Sequence, residues 1–252
     1  MTGMSEPDNT RFRTALITGG SAGLGLELAR GLLDSGWRVV IDGRDPERLQ
    51  RAVASLGPGE TGRAVPPPLT AVAGNVADAA HRAALAERVA ALGRLDLLVH
   101  NASALGPSPL RPLGALGPAE LTALWTTNVV AANALNTLLV PTLRTHDGIL
   151  VSISSDAAVE HYENWGGYGA SKAALDHLTL TWSAEAGVTG YAVDPGDMRT
   201  AMHQLAFPGE DISDRPLPQT VVPRLLALLD QRPPSGRYRA AAFAPALAGA
   251  PA

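Results

Sequence analysis

The 252-residue sequence is expected to fold as a single α/β domain of the Rossmann type, a doubly wound parallel sheet of about seven strands with helices on both faces. Three observations predict it. Short apolar runs alternate with longer stretches of helical periodicity. Turns rich in Gly, Asn and Ser follow the apolar runs. The residues with chemical potential cluster just after those runs, at the edge where parallel sheets bind ligands.

Thr14-Ala15-Leu16-Ile17 reads as a buried strand. It enters Thr18-Gly19-Gly20-Ser21-Ala22-Gly23-Leu24-Gly25, after which Leu24, Leu28, Leu32 and Leu33 line one side of a helix. Strand, glycine turn and helix begin a mononucleotide-binding unit. The glycines let backbone N–H groups approach a pyrophosphate at the helix N-terminus, where the dipole favours anions. Trp37 to Ile41 is the second strand, and Asp42-Gly43-Arg44-Asp45-Pro46 leads into a helix ending near Leu56. The end of this strand meets the adenosine ribose in a dinucleotide fold. A carboxylate there suits a free 2′-hydroxyl and an arginine suits a 2′-phosphate. Both types are present, but Gly43 is the position expected nearest the ribose; Arg44 is then free to reach out, which favours NADP(H) over NAD(H).

Residues 57–68 read as a polar surface loop stiffened by prolines. Leu69 to Ala73 is a third strand, closed by Gly74-Asn75-Val76, and Asp78 is placed to cap a helix to Leu92. Leu95 to His100 is a fourth, ending at Asn101-Ala102-Ser103. A long helix from Ala119 to Leu139 carries Asn128. Gly148 to Ile153 is a fifth strand, ending at Ser154-Ser155. The helix of Tyr168 and Lys172 runs to Ala186. Val188 to Val193 is a sixth strand, ending at Asp194-Pro195-Gly196, and Gly236 to Arg239 is a last edge strand. Residues 197–218 read as a substrate lid, 11–242 as the domain, and 1–10 and 243–252 as tails.

Composition narrows the function. A net charge of −4 and a pI near 5.8 argue against nucleic acid or an anionic membrane as partner. The absence of cysteine excludes disulfides, thiolate catalysis and a Cys-ligated zinc, and fits the cytoplasm; no metal site is expected. The polar start, Met1 to Arg13, lacks the apolar core of a signal peptide, and no apolar run is long enough to span a bilayer.

Tyr168 and Lys172 stand four residues apart. On a helix they share one face, about 6 Å apart along the axis. A lysine cation beside a phenol is expected to lower its pKa from about 10. With the Ser155 hydroxyl holding a substrate oxygen, the set can pass a proton near neutral pH.

With these residues in place the chain resembles the short-chain dehydrogenase/reductase family over residues 11–242. The pattern T-G-x-x-x-G-x-G matches Thr18 to Gly25, and Y-x-x-x-K matches Tyr168 and Lys172. The family serine, about a dozen residues before the tyrosine, picks Ser155 over Ser154. The family asparagine matches Asn128 and its P-G motif matches Pro195-Gly196. The resemblance implies a catalytic set of Asn128, Ser155, Tyr168 and Lys172, with Asn128 holding a water that relays protons to Lys172. It implies a cofactor site of Gly19, Ser21, Gly23, Leu24, Gly25, Arg44, Asn75, Val76, Asn101, Ala102, Tyr168, Lys172, Pro195, Gly196 and Thr200. The expected partner is a small carbonyl/alcohol substrate, and the expected assembly a homodimer or homotetramer. Three departures stand out. His100 replaces an asparagine and is read as a core histidine, Ser103 replaces a glycine and crowds the nicotinamide floor, and Asn75 replaces an acid beside adenine. A non-redox enzyme on the same scaffold, or a cofactor-sensing protein, are the alternatives; the intact catalytic set argues against the second.

Overall fold

A computed structural model of the chain describes residues 12–57 and 68–245. The expected tails at 1–10 and beyond 245, and most of the 57–68 loop, lie outside these residues. Seven strands form one parallel sheet: β1 (Thr14–Ile17), β2 (Arg38–Gly43), β3 (Leu69–Ala73), β4 (Leu97–His100), β5 (Ile149–Ile153), β6 (Thr189–Asp194) and β7 (Gly236–Arg239). Their spatial order is β3-β2-β1-β4-β5-β6-β7, and every pairing is parallel. The order reverses between β1 and β4. The crevice outside the carboxyl ends of these two strands is where such a sheet takes a ligand.

Helices cover both faces: α1 (Gly23–Asp34), α2 (Pro46–Ser55), α3 (Ala79–Leu92), α4 (Pro118–Trp125), α5 (Ala131–Thr145), α6 (Gly166–Ala186), α7 (Ala201–Ala206) and α8 (Val222–Gln231). Successive strand residues point to opposite faces, so each strand feeds two cores. Ala15, Ile17, Val39, Ile41 and Val99 pack with α1 and α8 on one side. Leu16, Val40, Leu98 and Leu150 pack with α3 and α5 on the other. Burial on both faces is why β1, β2, β4 and β5 each carry consecutive apolar residues rather than an alternating pattern.

Three elements differ from expectation. The helix predicted over 119–139 extends to Thr145 and is divided by a π-helical turn, Thr126–Val130, with Asn128 at its centre. Thr126 Oγ1 donates to the Thr122 carbonyl at 2.7 Å and Thr127 Oγ1 to that of Ala123 at 3.2 Å. Hydroxyls that back-bond in this way compete for the carbonyls of the helical ladder and loosen it. Asp78 occupies the N-cap position of α3, yet its side chain makes no capping bond. At the other end of the chain, Phe243 is buried against Tyr238, with ring centroids 5.5 Å apart. The packed body therefore reaches past residue 242.

Candidate active site

The glycine turn between β1 and α1 is held by hydrogen bonds from β4. Thr18 Oγ1 accepts from the N–H groups of Asn101 and Ala102, at 3.0 and 3.1 Å. Asn101 Nδ2 donates to the carbonyls of Thr18 and Gly19, at 2.9 and 3.1 Å. Glycine is required where these segments touch. A Cβ on Gly19, whose φ is +68°, would lie 2.9 Å from Ala102 Cα, and one on Gly25 would lie 2.4 Å from Asn101 Nδ2. Asn101 and Ala102 thus shape the turn with their polar groups. Gly19 serves the same end, because its own N–H donates to Asp42 Oδ1 at 2.6 Å.

No side chain caps α1, and its first turn holds no acid. Its leading N–H groups, around Gly23, Leu24 and Gly25, are the natural donors for an anion. Thr200, at the N-cap of α7, closes over them; a Cβ on Gly23 would meet Thr200 Cγ2 at 3.5 Å. Ser21 lies against Gly43, where a Cβ would come within 2.7 Å of Ser21 Oγ. Arg44 follows, exposed. Asp42 turns inward to Gly19 and is buried, which removes it as a ribose ligand. Asn75 Oδ1 accepts from Ala77 N–H at 3.1 Å, beside buried Val76. An uncapped helix end, a glycine floor and an exposed arginine past β2 fit a phosphorylated dinucleotide.

The candidate reacting groups come from β5, α6 and the π turn. Ser154 and Ser155 are separated by their partners. Ser154 Oγ is buried and donates to Asp176 Oδ2 at 2.6 Å. Ser155 is half-buried, and its hydroxyl interacts with the Tyr168 phenol. The ammonium of Lys172 lies 5.5 Å from the centre of the Tyr168 ring and donates to the Ile153 carbonyl at 2.8 Å. Pro195-Gly196 follows β6 at the same edge of the sheet, and Gly196 N–H donates to Asp194 Oδ1 at 3.0 Å.

Asn128 is buried and fully engaged. Its Oδ1 accepts from Ala104 N–H at 2.7 Å, and its Nδ2 donates to the Ala104 carbonyl and to Ser171 Oγ, both at 2.9 Å. The amide that was expected to hold a relay water thus already has protein partners on both its oxygen and its nitrogen.

Burial controls the titration of the centre. It pushes the Tyr168 phenol well above its ordinary value, while the Ser155 and Ser103 hydroxyls pull it back. The expected depression by Lys172 is not what sets it: burial raises the phenol, and the groups that lower it are the two serine hydroxyls. Lys172 itself is lowered to about 8 by burial and raised by the Asp176 carboxylate. His100, the departure at the end of β4, is a core residue: Nε2 donates to Asn136 Oδ1 at 2.7 Å, and burial lowers the imidazole to about 4.

Two contributors escaped the sequence reading. Ser103, expected only to crowd the floor, lies beside the phenol and donates to Asn128 Oδ1 at 3.3 Å. Arg237, on β7, reaches back to the centre. Its Nη2 donates to the Ser155 carbonyl at 2.8 Å and its Nε to Asp176 Oδ2 at 3.1 Å.

The segment expected to form a lid packs on this centre. Met202 and Ala206 of α7 lie against Leu105, Ala157 and Tyr168. Trp165 meets Tyr168 edge-on with centroids 5.7 Å apart, and Phe207 meets Trp165 at 5.9 Å. His203 stacks on Phe207 at 4.9 Å. A second phenol at this edge, Tyr162, is exposed and donates to Asp156 Oδ2 at 2.9 Å, which raises its pKa. Among the described residues, no helix is long and apolar enough to cross a membrane, and no cluster of His, Asp and Glu could hold a metal.

Comparison with known proteins agrees with this geometry. The family model described as short chain dehydrogenase matches residues 13–211. An uncharacterized oxidoreductase of Escherichia coli (strain K12), YciK, is 34% identical over 232 residues, covering 89% of this chain and 88% of its own. A short chain dehydrogenase from Shigella flexneri 2a str. 301, solved with NADP, superposes with a TM-score of 0.81 at 31% identity, covering 91% of this chain and 97% of its own. A second, from Escherichia coli CFT073 and solved with NADPH, gives 0.81 at 31%, covering 93% and 99%. With its seven-stranded parallel sheet, its glycine turn and its Ser155, Tyr168 and Lys172 at one sheet edge, the chain belongs to the short-chain dehydrogenase/reductase family of oxidoreductases.

Proposed function

We propose that this oxidoreductase transfers hydride between a nicotinamide dinucleotide, NADP(H) in preference to NAD(H), and a small carbonyl/alcohol substrate, with Tyr168 as the acid–base group. The observation that carries the reading is the convergence of Ser155, Tyr168 and Lys172 under an apolar lid, beside a glycine floor that fits a dinucleotide. The NADP and NADPH complexes of the two similar structures support the cofactor. So does Arg44, the exposed cation just past β2. When bound, the nicotinamide supplies or accepts the hydride.

The chain supplies position and protons. In reduction, the Tyr168 phenol gives its proton to the substrate oxygen. Ser155 donates a hydrogen bond to the same oxygen, and that contact strengthens as charge develops there. Its proton rests on Asp156 Oδ1, at 3.0 Å, and must swing away from it. Lys172, lowered to about 8, remains largely charged at neutral pH and favours the phenolate left behind. Trp165, Phe207 and Met202 exclude water and select a substrate with apolar surface. Exposed Trp125, Val130 and Leu138 on the α4–α5 rod support a homodimer or homotetramer.

Tyr168→Phe tests the reading. It should lower kcat by about 10³-fold and leave NADPH binding, read by cofactor fluorescence, unchanged. Retained turnover in this variant would remove Tyr168 from the chemistry. If the unaltered enzyme leaves reduced-cofactor absorbance constant across a broad panel of ketones and alcohols, the redox assignment falls.

A further inference from the structure

Beneath the glycine turn lies a buried pair that the mechanism does not use. Asp42, at the end of β2, is 1% exposed, and His81, on α3, is 8% exposed. Each carboxylate oxygen has its own donor. Asp42 Oδ1 accepts from Gly19 N–H at 2.6 Å, and Asp42 Oδ2 accepts from His81 Nε2 at 2.9 Å. The end of β3 is shaped to admit the imidazole: a Cβ on Gly74 would lie 2.1 Å from His81 Nδ1. Gly74 N–H in turn donates to the Gly43 carbonyl at 3.0 Å, tying this corner to the strand end that presents Arg44. Asp42 thus stands one residue before Gly43, two before Arg44, and directly against the backbone of the turn.

We propose that Asp42 and His81 form a positioning unit for the glycine turn and set the preference of the chain for NADPH over NADH. The inference rests on the dinucleotide reading above. Asp42 pins the Gly19 N–H, at a residue whose φ of +68° and close approach to Ala102 leave the turn little freedom. A carboxylate in that place also carries charge of the same sign as the phosphates the turn receives. The His81 N–H compensates it. Without the imidazole, a buried carboxylate faces the phosphate site with Gly19 as its remaining donor. The penalty grows with the charge of the ligand, so the 2′-phosphorylated cofactor loses more.

Binding of NADPH and NADH to the purified full chain, titrated by reduced-cofactor fluorescence at neutral pH, tests this. His81→Ala should weaken NADPH by about 10-fold and NADH by about 3-fold. His81→Gln, whose amide N–H can still reach Asp42, should stay within about 3-fold of the unaltered chain. The double variant Asp42→Asn/His81→Ala keeps the acceptor for Gly19 and removes the charge. It should recover NADPH binding to within about 3-fold. A merely structural role predicts the reverse, a double variant weaker than either single change. Equal losses for the two cofactors, or no recovery in the double variant, overturn the proposal. Should His81→Ala fail to fold, Asp42→Asn is compared with Asp42→Leu. The asparagine should retain NADPH binding and the leucine should lose about 10-fold; equal binding overturns it. An unaltered chain that binds neither cofactor would instead remove the dinucleotide reading itself.

Discussion

Two buried carboxylates bracket the site, and the chain treats them differently. At the adenosine end, Asp42 has a donor on each oxygen, Gly19 N–H on one and His81 Nε2 on the other. At the substrate end, Asp176 accepts from Ser154 and Arg237 on Oδ2, while its Oδ1 is buried with no partner among the described residues. Burial raises Asp176, drives Lys172 down to about 8 and pushes Tyr168 up. A saturated network fixes one geometry. An unsaturated one, full of perturbed groups, is what proton transfer requires. On the proposed reading, the adenosine end is therefore a rigid frame, and the substrate end is where protons would move.

That contrast predicts which parameter each end controls. The largest effect on cofactor binding is expected at the adenosine end. Arg44→Ala should weaken NADPH by about 30-fold, the loss of one charge-assisted phosphate contact, with NADH changed by less than about 3-fold and kcat unaffected. Fluorescence titration of both cofactors measures it. Equal loss for the two would remove Arg44 from the 2′-phosphate.

At the substrate end the response should appear in turnover. Arg237→Ala cuts the bonds to the Ser155 carbonyl and to Asp176. Breaking a fully buried pair costs about 3–5 kcal/mol, but Arg237 is 23% exposed, so about 2 kcal/mol is expected in urea unfolding. With Ser155 displaced, kcat should fall by about 10-fold while the NADPH Kd holds. If Arg237→Ala changes the Kd instead, the two ends are not separate.

The division between legible and hidden features follows sequence distance. The strands, the glycine turn and the Tyr168–Lys172 pair announce themselves because their signals are local: a short apolar run, a tight turn, one turn of helix. Ser155 is separable from Ser154 in the sequence only through the family spacing; in the structure the two differ in that Ser154 faces Asp176. The supporting contacts were silent. Asp42 and His81 stand 39 residues apart, and Arg237 and Asp176 stand 61 apart. No local pattern marks either pair, because only the strand order brings them together. The π turn at Asn128 coincides with two threonine hydroxyls bonded back to carbonyls, and helical periodicity does not carry that signal.

Ser103 offers the smallest and most discriminating effect. Its hydroxyl donates to Asn128 Oδ1 at 3.3 Å, but that oxygen also has the Ala104 N–H at 2.7 Å. Ser103 can therefore turn its proton toward the phenol oxygen without leaving Asn128 Oδ1 bare. A hydroxyl that donates to the phenolate favours it over the phenol. Its presence lowers the Tyr168 pKa, against the larger upward push of burial. Ser103→Ala removes that help, so the phenol is held more tightly. In the proposed mechanism alcohol oxidation needs the phenolate; its rate should rise at higher pH than in the unaltered enzyme and be about 3-fold lower at neutral pH. Ketone reduction starts from the phenol and should change less. Ser103→Thr, which keeps the hydroxyl, should preserve the oxidation profile. Rate profiles against pH in both directions decide the matter. An oxidation limb unmoved by Ser103→Ala would leave Ser103 as packing alone and make this part of the substrate end as inert to proton transfer as the frame under the glycine turn.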